Sequence, residues 1–132
     1  MQENLVALLL ADTAIAAKCG TRIYWLERPQ GSIAPAIVLN IVSRRNRYTM
    51  SGPEAQKMTR VQADIFGATY GDTEMTARAL VQKMDGFKGQ QGTTEFAAVF
   101  LDGRRDQREA GTNDAERLFR VSIDLLIHHR EI

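Results

Sequence analysis

This chain could do chemistry at few places: two adjacent histidines, His128 and His129; one thiol, Cys19; and three arginines, Arg44, Arg45 and Arg47, beside Tyr48. Neighbours on a strand point to opposite faces, so His128 and His129 cannot share a metal ion. No other Cys or His completes a ligand set. A surface or edge role is therefore expected for both. The arginines put three cations within four positions, which is enough to touch phosphates. If the strand continues through them, Arg44 and Arg45 point opposite ways and the patch is split. A solvated strand end or a subunit contact is the stronger expectation; duplex DNA is the competing partner.

Other candidate motifs fail on context. Gly86-Phe87-Lys88-Gly89 matches the GxxG loop that clamps a nucleic-acid backbone, but that loop belongs between two helices. Here it leads toward Thr93, Thr94 and a strand, so a helix stop followed by a turn is expected. No phosphate-binding loop, dinucleotide fingerprint, nucleophile elbow or zinc-protease helix is present. Ser32, Ser43, Ser51 and Ser122 have no histidine near them in sequence, and two adjacent histidines are poor material for a triad. Asp12 reads as a helix-end residue, and Asp64 and Asp124 as strand-surface residues. The chain is expected to be no enzyme, with no catalytic, cofactor-binding or metal-binding residue and no cofactor.

Composition agrees. With 132 residues, 44% hydrophobic and 25% charged, the chain is expected to form a single domain over residues 1–132 with a real core. A net charge of +1 gives no global field to draw in nucleic acid or an anionic membrane. Cys19 is the only cysteine, so no internal disulfide can form. The longest apolar run, Leu5 to Ala11, is too short to span a bilayer, and Glu3 stands where a secretory signal needs a basic residue. Ala16-Ala17-Lys18-Cys19 echoes a lipoprotein cleavage site, but Lys18 occupies a small-residue position.

The elements that must position these residues are organised around Thr59 to Phe87. Val61, Ala63 and Ile65 alternate with Arg60, Gln62 and Asp64, which predicts a half-buried strand. Gly67 and Gly71 bracket its exit, and Asp72 is expected to cap a helix. Ala77, Leu80, Met84 and Phe87 form one stripe of that helix, Glu74 and Arg78 pair one turn apart, and Gly86 ends it. Before this unit come a helix from Glu3 to Ala11, a short turn over Ala14 to Lys18 ended by Gly20, a strand from Arg22 to Leu26, and a loop from Glu27 to Pro35. A near-continuous apolar strand then runs from Ala36 to Ser43, expected to be covered on both faces. Tyr48 to Met58 is either a hairpin arm or a loop.

After the unit, Glu95 to Leu101 is a strand, with Phe96 and Phe100 on one face and Ala97, Val99 and Leu101 on the other. Asp102 to Ala115 is a polar hairpin tip or loop. Phe119, Val121, Ile123, Leu125 and Ile127 alternate cleanly in the last strand. A right-handed crossover makes the strands at 60 and 96 parallel, and the last strand can slot between them. In that pairing Arg60 faces Asp124 and Asp64 faces Arg120. The expected fold class is α+β: an antiparallel-rich mixed sheet of about five strands with helices packed on one face, in the order α-β-β-β-α-β-β.

This succession resembles the small tail-completion, or tail-terminator, proteins of long-tailed bacteriophages and phage-like particles. The likeness is carried by the leucine-rich first helix ending near Asp12, then Ala14-Ile15-Ala16-Ala17 and Gly20-Thr21-Arg22-Ile23-Tyr24. It continues through the Pro29 to Pro35 loop, Pro35-Ala36-Ile37-Val38, Arg60-Val61-Gln62-Ala63-Asp64-Ile65-Phe66, the helix to Asp85-Gly86, and the C-terminal strand. The resemblance implies a structural virion protein, assembled in the host cytoplasm. It would form a homo-oligomeric, commonly hexameric ring on the head-proximal end of the tail tube. That ring stops tube polymerisation and meets the head-tail connector (stopper) protein; genome DNA passes its lumen without sequence-specific binding, and no membrane is involved. Rings need head-to-tail contacts between unlike patches. Arg44–Met58 and Asp102–Ala115 are the candidate segments, with Arg44, Arg45, Arg47, Tyr48, Arg104, Arg105, Arg108 and Glu109 as candidate subunit or docking contacts. The alternative is a small DNA-binding adaptor using Arg44, Arg45 and Arg47.

Overall fold

The computed structural model describes residues 1–27, 35–108 and 118–132. Helix α1 (Gln2–Leu10) buries Leu5, Leu8 and Leu9, while Leu10 stays exposed, so its apolar stripe is narrower than the sequence suggests. The short turn expected next is a full helix, α2 (Thr13–Cys19). Asp12 Oδ1 accepts from the N–H groups of Ala14 and Ile15 at 3.0 and 3.1 Å, a cap that makes a seven-residue helix viable. Gly20, with φ of 61°, ends it.

Strand β1 (Ile23–Trp25) runs parallel to β2 (Ala36–Thr49), which forms a long hairpin with β3 (Gly52–Gly67). The expected strand end at Ser43 is too early, and Tyr48 to Met58 is a hairpin arm. Polar residues do not end a strand whose two faces both meet water, and Gly52, with φ of 127°, permits the tight reversal. Ile37 and Leu39 are buried under the helices, and Val38 is buried on the opposite face. Val42 is exposed, so β2 is covered on both faces only at its start.

Helix α3 (Tyr70–Met84) begins before the expected cap. Thr69 is the N-cap: its backbone is extended and its Oγ1 accepts from the Asp72 N–H at 3.2 Å. Asp72 sits in the first turn, where its charge suits the helix dipole. Gly67 matters for a steric reason, because a Cβ there would run into the Thr73 hydroxyl. Ala77, Leu80 and Met84 are buried as expected, with Thr73 and Thr76 beside them. Glu74 and Arg78 pair at 3.1 Å, and Gly86, with φ of 72°, ends the run.

The chain then adds β4 (Gly89–Gln91), β5 (Thr94–Arg108) and β6 (Phe119–Glu131). Among the described residues the sheet has six strands in the order β1-β2-β3-β6-β5-β4, one more than the expected five; β4 is too short to show a pattern in sequence. As expected, β6 lies between β3 and β5 and antiparallel to both, which leaves β3 and β5 parallel across the α3 crossover.

The proposed charge register is corrected by two residues. Arg60 opposes Leu126, Gln62 opposes Asp124, Asp64 opposes Ser122 and Phe66 opposes Arg120. Packing sets this register, since it lays Val61 on Leu125, Ala63 on Ile123 and Ile65 on Val121. Arg60 still reaches Asp124 diagonally at 3.9 Å and pairs with Asp102 at 2.5 Å.

The three helices of the described residues pack on one sheet face, over a core that includes Leu5, Leu9, Ile15, Leu39, Leu80, Met84, Phe96 and Ile123. A bulge between Phe96 and Ala98 puts Phe96 and Val99 on this face and turns Phe100 outward, 53% exposed, against the expected pairing of Phe96 with Phe100.

Candidate functional site

Alternation and tight turns build two hairpin ends, and these carry most of the candidate residues. Beyond Leu39, β2 has no outer strand neighbour among the described residues, and β3 pairs with β6 only from Gln56 onward. Residues 47–55 therefore form a two-stranded ribbon. Tyr48 near its tip is 71% exposed and Met50 is fully exposed. Thr49 Oγ1 lies 3.0 Å from Ser51 Oγ and donates to the Gly52 carbonyl at 3.2 Å, which holds the turn. A bare ribbon with open edges and an apolar tip is a template for pairing with another chain.

The arginine cluster is split as alternation requires. Arg44 lies on the helix side, where its Nε donates to Thr59 Oγ1 at 3.1 Å. Arg45 and Arg47 line a different cavity of about 230 Å³, with Gln56, Met58 and His128. Arg47 is 3.9 Å from Glu54, and Arg45 has no ion-pair partner among the described residues. Beside this cavity the exposed Phe100 ring meets His128 edge-on, with centroids 5.7 Å apart. That face is thus a strip of Arg45, Met58, His128 and Phe100, both basic and apolar.

At the other hairpin, Arg104 and Arg105 are engaged within the chain. Arg104 bonds both Glu74 oxygens and donates from Nε to Asp106 Oδ1 at 2.8 Å. Those contacts raise the Arg104 pKa and hold the Glu74 and Asp106 carboxyls below their usual range. Tyr70 Oη donates to Asp106 at 2.6 Å, which raises the phenol's pKa. Arg105 reaches Asp124 at 3.2 Å and Gln62 at 3.3 Å. The backbone of Arg108 pairs with Phe119, so the expected loop is strand as far as residue 108. Glu109, Gly111 and Asn113 lie outside the described residues, as do Pro29 and most of the expected loop over 27–35.

His129 corrects the surface expectation. It is 2% exposed, and its Nε2 lies 2.7 Å from Thr59 Oγ1. Burial, reinforced by Arg44, lowers its pKa to about 4, so the ring is neutral at physiological pH. The signal was in the sequence: alternation from Phe119 to Ile127 places residue 129 on the same inward face. His129 lines a cavity of about 450 Å³ with Arg44, Glu54, Lys57 and Glu131, and its Nδ1 is buried without a hydrogen-bond partner.

Among the described residues no group of three or more His, Cys, Asp and Glu is placed to hold a metal ion, and no helix is long and apolar enough to cross a membrane. Residues 3–129 match the model of the family described as tail completion protein gp17. A chain of the virion of the native gene transfer agent (GTA) particle is similar in fold, with a TM-score of 0.70 at 14% identity over 98% of this chain and 94% of that one. A second solved structure is similar at a TM-score of 0.53 and 12% identity, over 100% and 96% of the two chains. Likeness at such identities speaks for the fold alone. No curated protein matches the chain.

Proposed function

Because the chain belongs to the tail completion protein gp17 family, and so is a structural protein of a virion tail, we propose that it closes the head-proximal end of the tail tube as a ring of identical subunits. The ring, commonly of six, halts tube polymerisation and offers its far side to the head-tail connector, while genome DNA passes its lumen without base-specific contact. The observation that carries this reading is the ribbon of residues 47–55, whose strand edges are open and whose tip presents Tyr48 and Met50 to solvent. A single unlike patch reaching to the next copy is what a closed head-to-tail ring requires. Strand addition at an open edge supplies backbone hydrogen bonds, and the apolar tip supplies burial.

The Arg45, Met58, His128 and Phe100 strip is a second contact surface in this reading, and Arg105 and Arg108 stand toward the opposite end of the sheet from the ribbon. The protein is no enzyme in this account and carries no cofactor.

Electron microscopy of purified particles, with mass determination on the isolated protein, tests it. A ring of this chain at the tail–head junction is the expected result, and its copy number gives the symmetry. A chain absent from every particle, yet held on duplex DNA at low salt and released at high salt, would replace the ring with the DNA adaptor.

A further inference from the structure

Among the described residues, Leu26 is the one non-glycine with a positive φ, at 70°. The Glu27 N–H donates to the Trp25 carbonyl at 2.9 Å, so Leu26 is the central residue of a γ-turn of the rare, strained hand. Its own N–H donates to the Leu39 carbonyl at 2.8 Å, which ties the turn to the outer edge of β2. Such a backbone suits glycine and penalises leucine. Packing within the chain offsets little of that penalty, since Leu26 is 74% exposed. Strain of this kind persists where function uses it. Glu27 beside it is also exposed and has no ion-pair partner among the described residues.

A matching surface lies on the sheet face that the helices leave bare. Arg45 opposes Met58, and Met58 opposes His128, in one row across β2, β3 and β6. The three line the cavity of about 230 Å³, which has no acid among its described lining residues. Arg45 is the cation there without an ion-pair partner. An apolar cavity of about 150 Å³ already holds a benzene ring, so this one has room for the Leu26 side chain. The turn cannot reach the cavity of its own chain, because it is tied to Leu39, six residues before Arg45 on the same strand and roughly 20 Å away.

We propose that the Leu26–Glu27 turn of one copy seats in the Arg45, Met58 and His128 cavity of the next, with Leu26 inside it and the Glu27 carboxylate on the Arg45 guanidinium. An exposed apolar side chain is then buried, and two unpaired charges of opposite sign meet. A knob on the sheet edge and a seat on the sheet face are unlike patches, so the contact repeats head to tail rather than closing a two-fold dimer. The seat rests on the ring reading and names the occupant of its second contact surface.

The test counts completed particles by electron microscopy when a variant replaces the chain in assembling cells. Glu27→Arg and Arg45→Glu each set like charges together and are expected to cut the count by about tenfold or more; the double variant restores the pair and recovers to within about threefold of wild type. Leu26→Gly is expected to cut the count by about tenfold, yet to keep a urea midpoint at or above the wild-type value, because glycine takes this turn without strain. Wild-type counts from either charge variant, or no recovery in the double, overturn the seat. A loss with Arg45→Glu alone assigns that arginine to another partner, duplex DNA included. A lowered midpoint for Leu26→Gly makes the turn a device of the fold and overturns the seat as well. Images of wild-type particles separate the two readings: a ring whose charge variants assemble normally removes the seat alone, and no ring at all removes both.

Discussion

Thr59 Oγ1 and His129 Nε2 lie 2.7 Å apart inside the sheet, joining residues 70 positions apart in the chain. The contact runs diagonally across the β3–β6 ladder, where Thr59 opposes Ile127 and Lys57 opposes His129. It makes the last turns of β6 part of the buried structure and ties them, through Arg44, to the base of the ribbon.

The burial of His129 gives folding a pH dependence. The folded-state pKa of His129 is about 4, below the usual 6.5, chiefly because the ring is buried. Between those values the unfolded chain binds more protons than the folded one. Stability is therefore full above about pH 6.5 and declines as pH falls toward 4, by on the order of 3 kcal/mol at most. Urea unfolding across that window should show the decline, and His129→Gln should flatten it. An unchanged slope in the variant would remove His129 as the cause.

Ile123 sits at the middle of β6, buried against Ala63. Truncation to alanine leaves a void beneath the helices and should cost about 2–5 kcal/mol. Chemical denaturation of Ile123→Ala measures it directly.

Arg104 clamps the outer part of β5 to α3 through Glu74 and to its own strand through Asp106. These groups are partly exposed, so Arg104→Ala should cost only about 1 kcal/mol in global stability. Its signature is local, a faster amide exchange over residues 104–108 with the strand's inner half unchanged. Uniform exchange along β5 would show that the clamp is idle.

Tyr48 and Met50 bury little in the isolated chain. The double substitution Tyr48→Ser with Met50→Ser should leave stability within about 0.5 kcal/mol. The same variant should assemble poorly into particles, as counted by electron microscopy. Full assembly would move the subunit contact away from the ribbon tip.

Cys19 is buried at the end of α2, and burial raises its pKa to about 11, partly offset by Arg22. Its thiolate is scarce at neutral pH, so the native protein should resist iodoacetamide while the urea-unfolded protein reacts within minutes. Rapid modification of the native chain would mean that α2 opens readily.

Much of the fold is legible because alternation is a local property. The faces of β6 follow from Phe119, Val121, Ile123, Leu125 and Ile127, and the stripe of α3 from Ala77, Leu80 and Met84. The same parity, carried two residues further, places His129 inside, against the surface or edge role expected of both histidines. The division of the arginine cluster between two faces follows from parity between neighbours, but the bulge between Ile41 and Ser43 decides that Arg44 takes the helix side.

What the sequence by itself determined is the kind of each long element, the inward face of its strands and helices, and the slot of β6 between β3 and β5. These depend on periodicity and on the handedness of one crossover. The tertiary structure alone decided register and reach. The fit of Val61, Ala63 and Ile65 against Leu125, Ile123 and Val121 outweighed the facing of Arg60 with Asp124, because buried packing discriminates between registers more strongly than solvent-exposed charge. The bulge after Phe96 turned Phe100 outward, and the pairing of β2 with β3 carried both strands past their apolar segments into the ribbon. Thr59, Arg44 and His129 came together for the same reason: their contact crosses three strands, and no spacing along the chain encodes it.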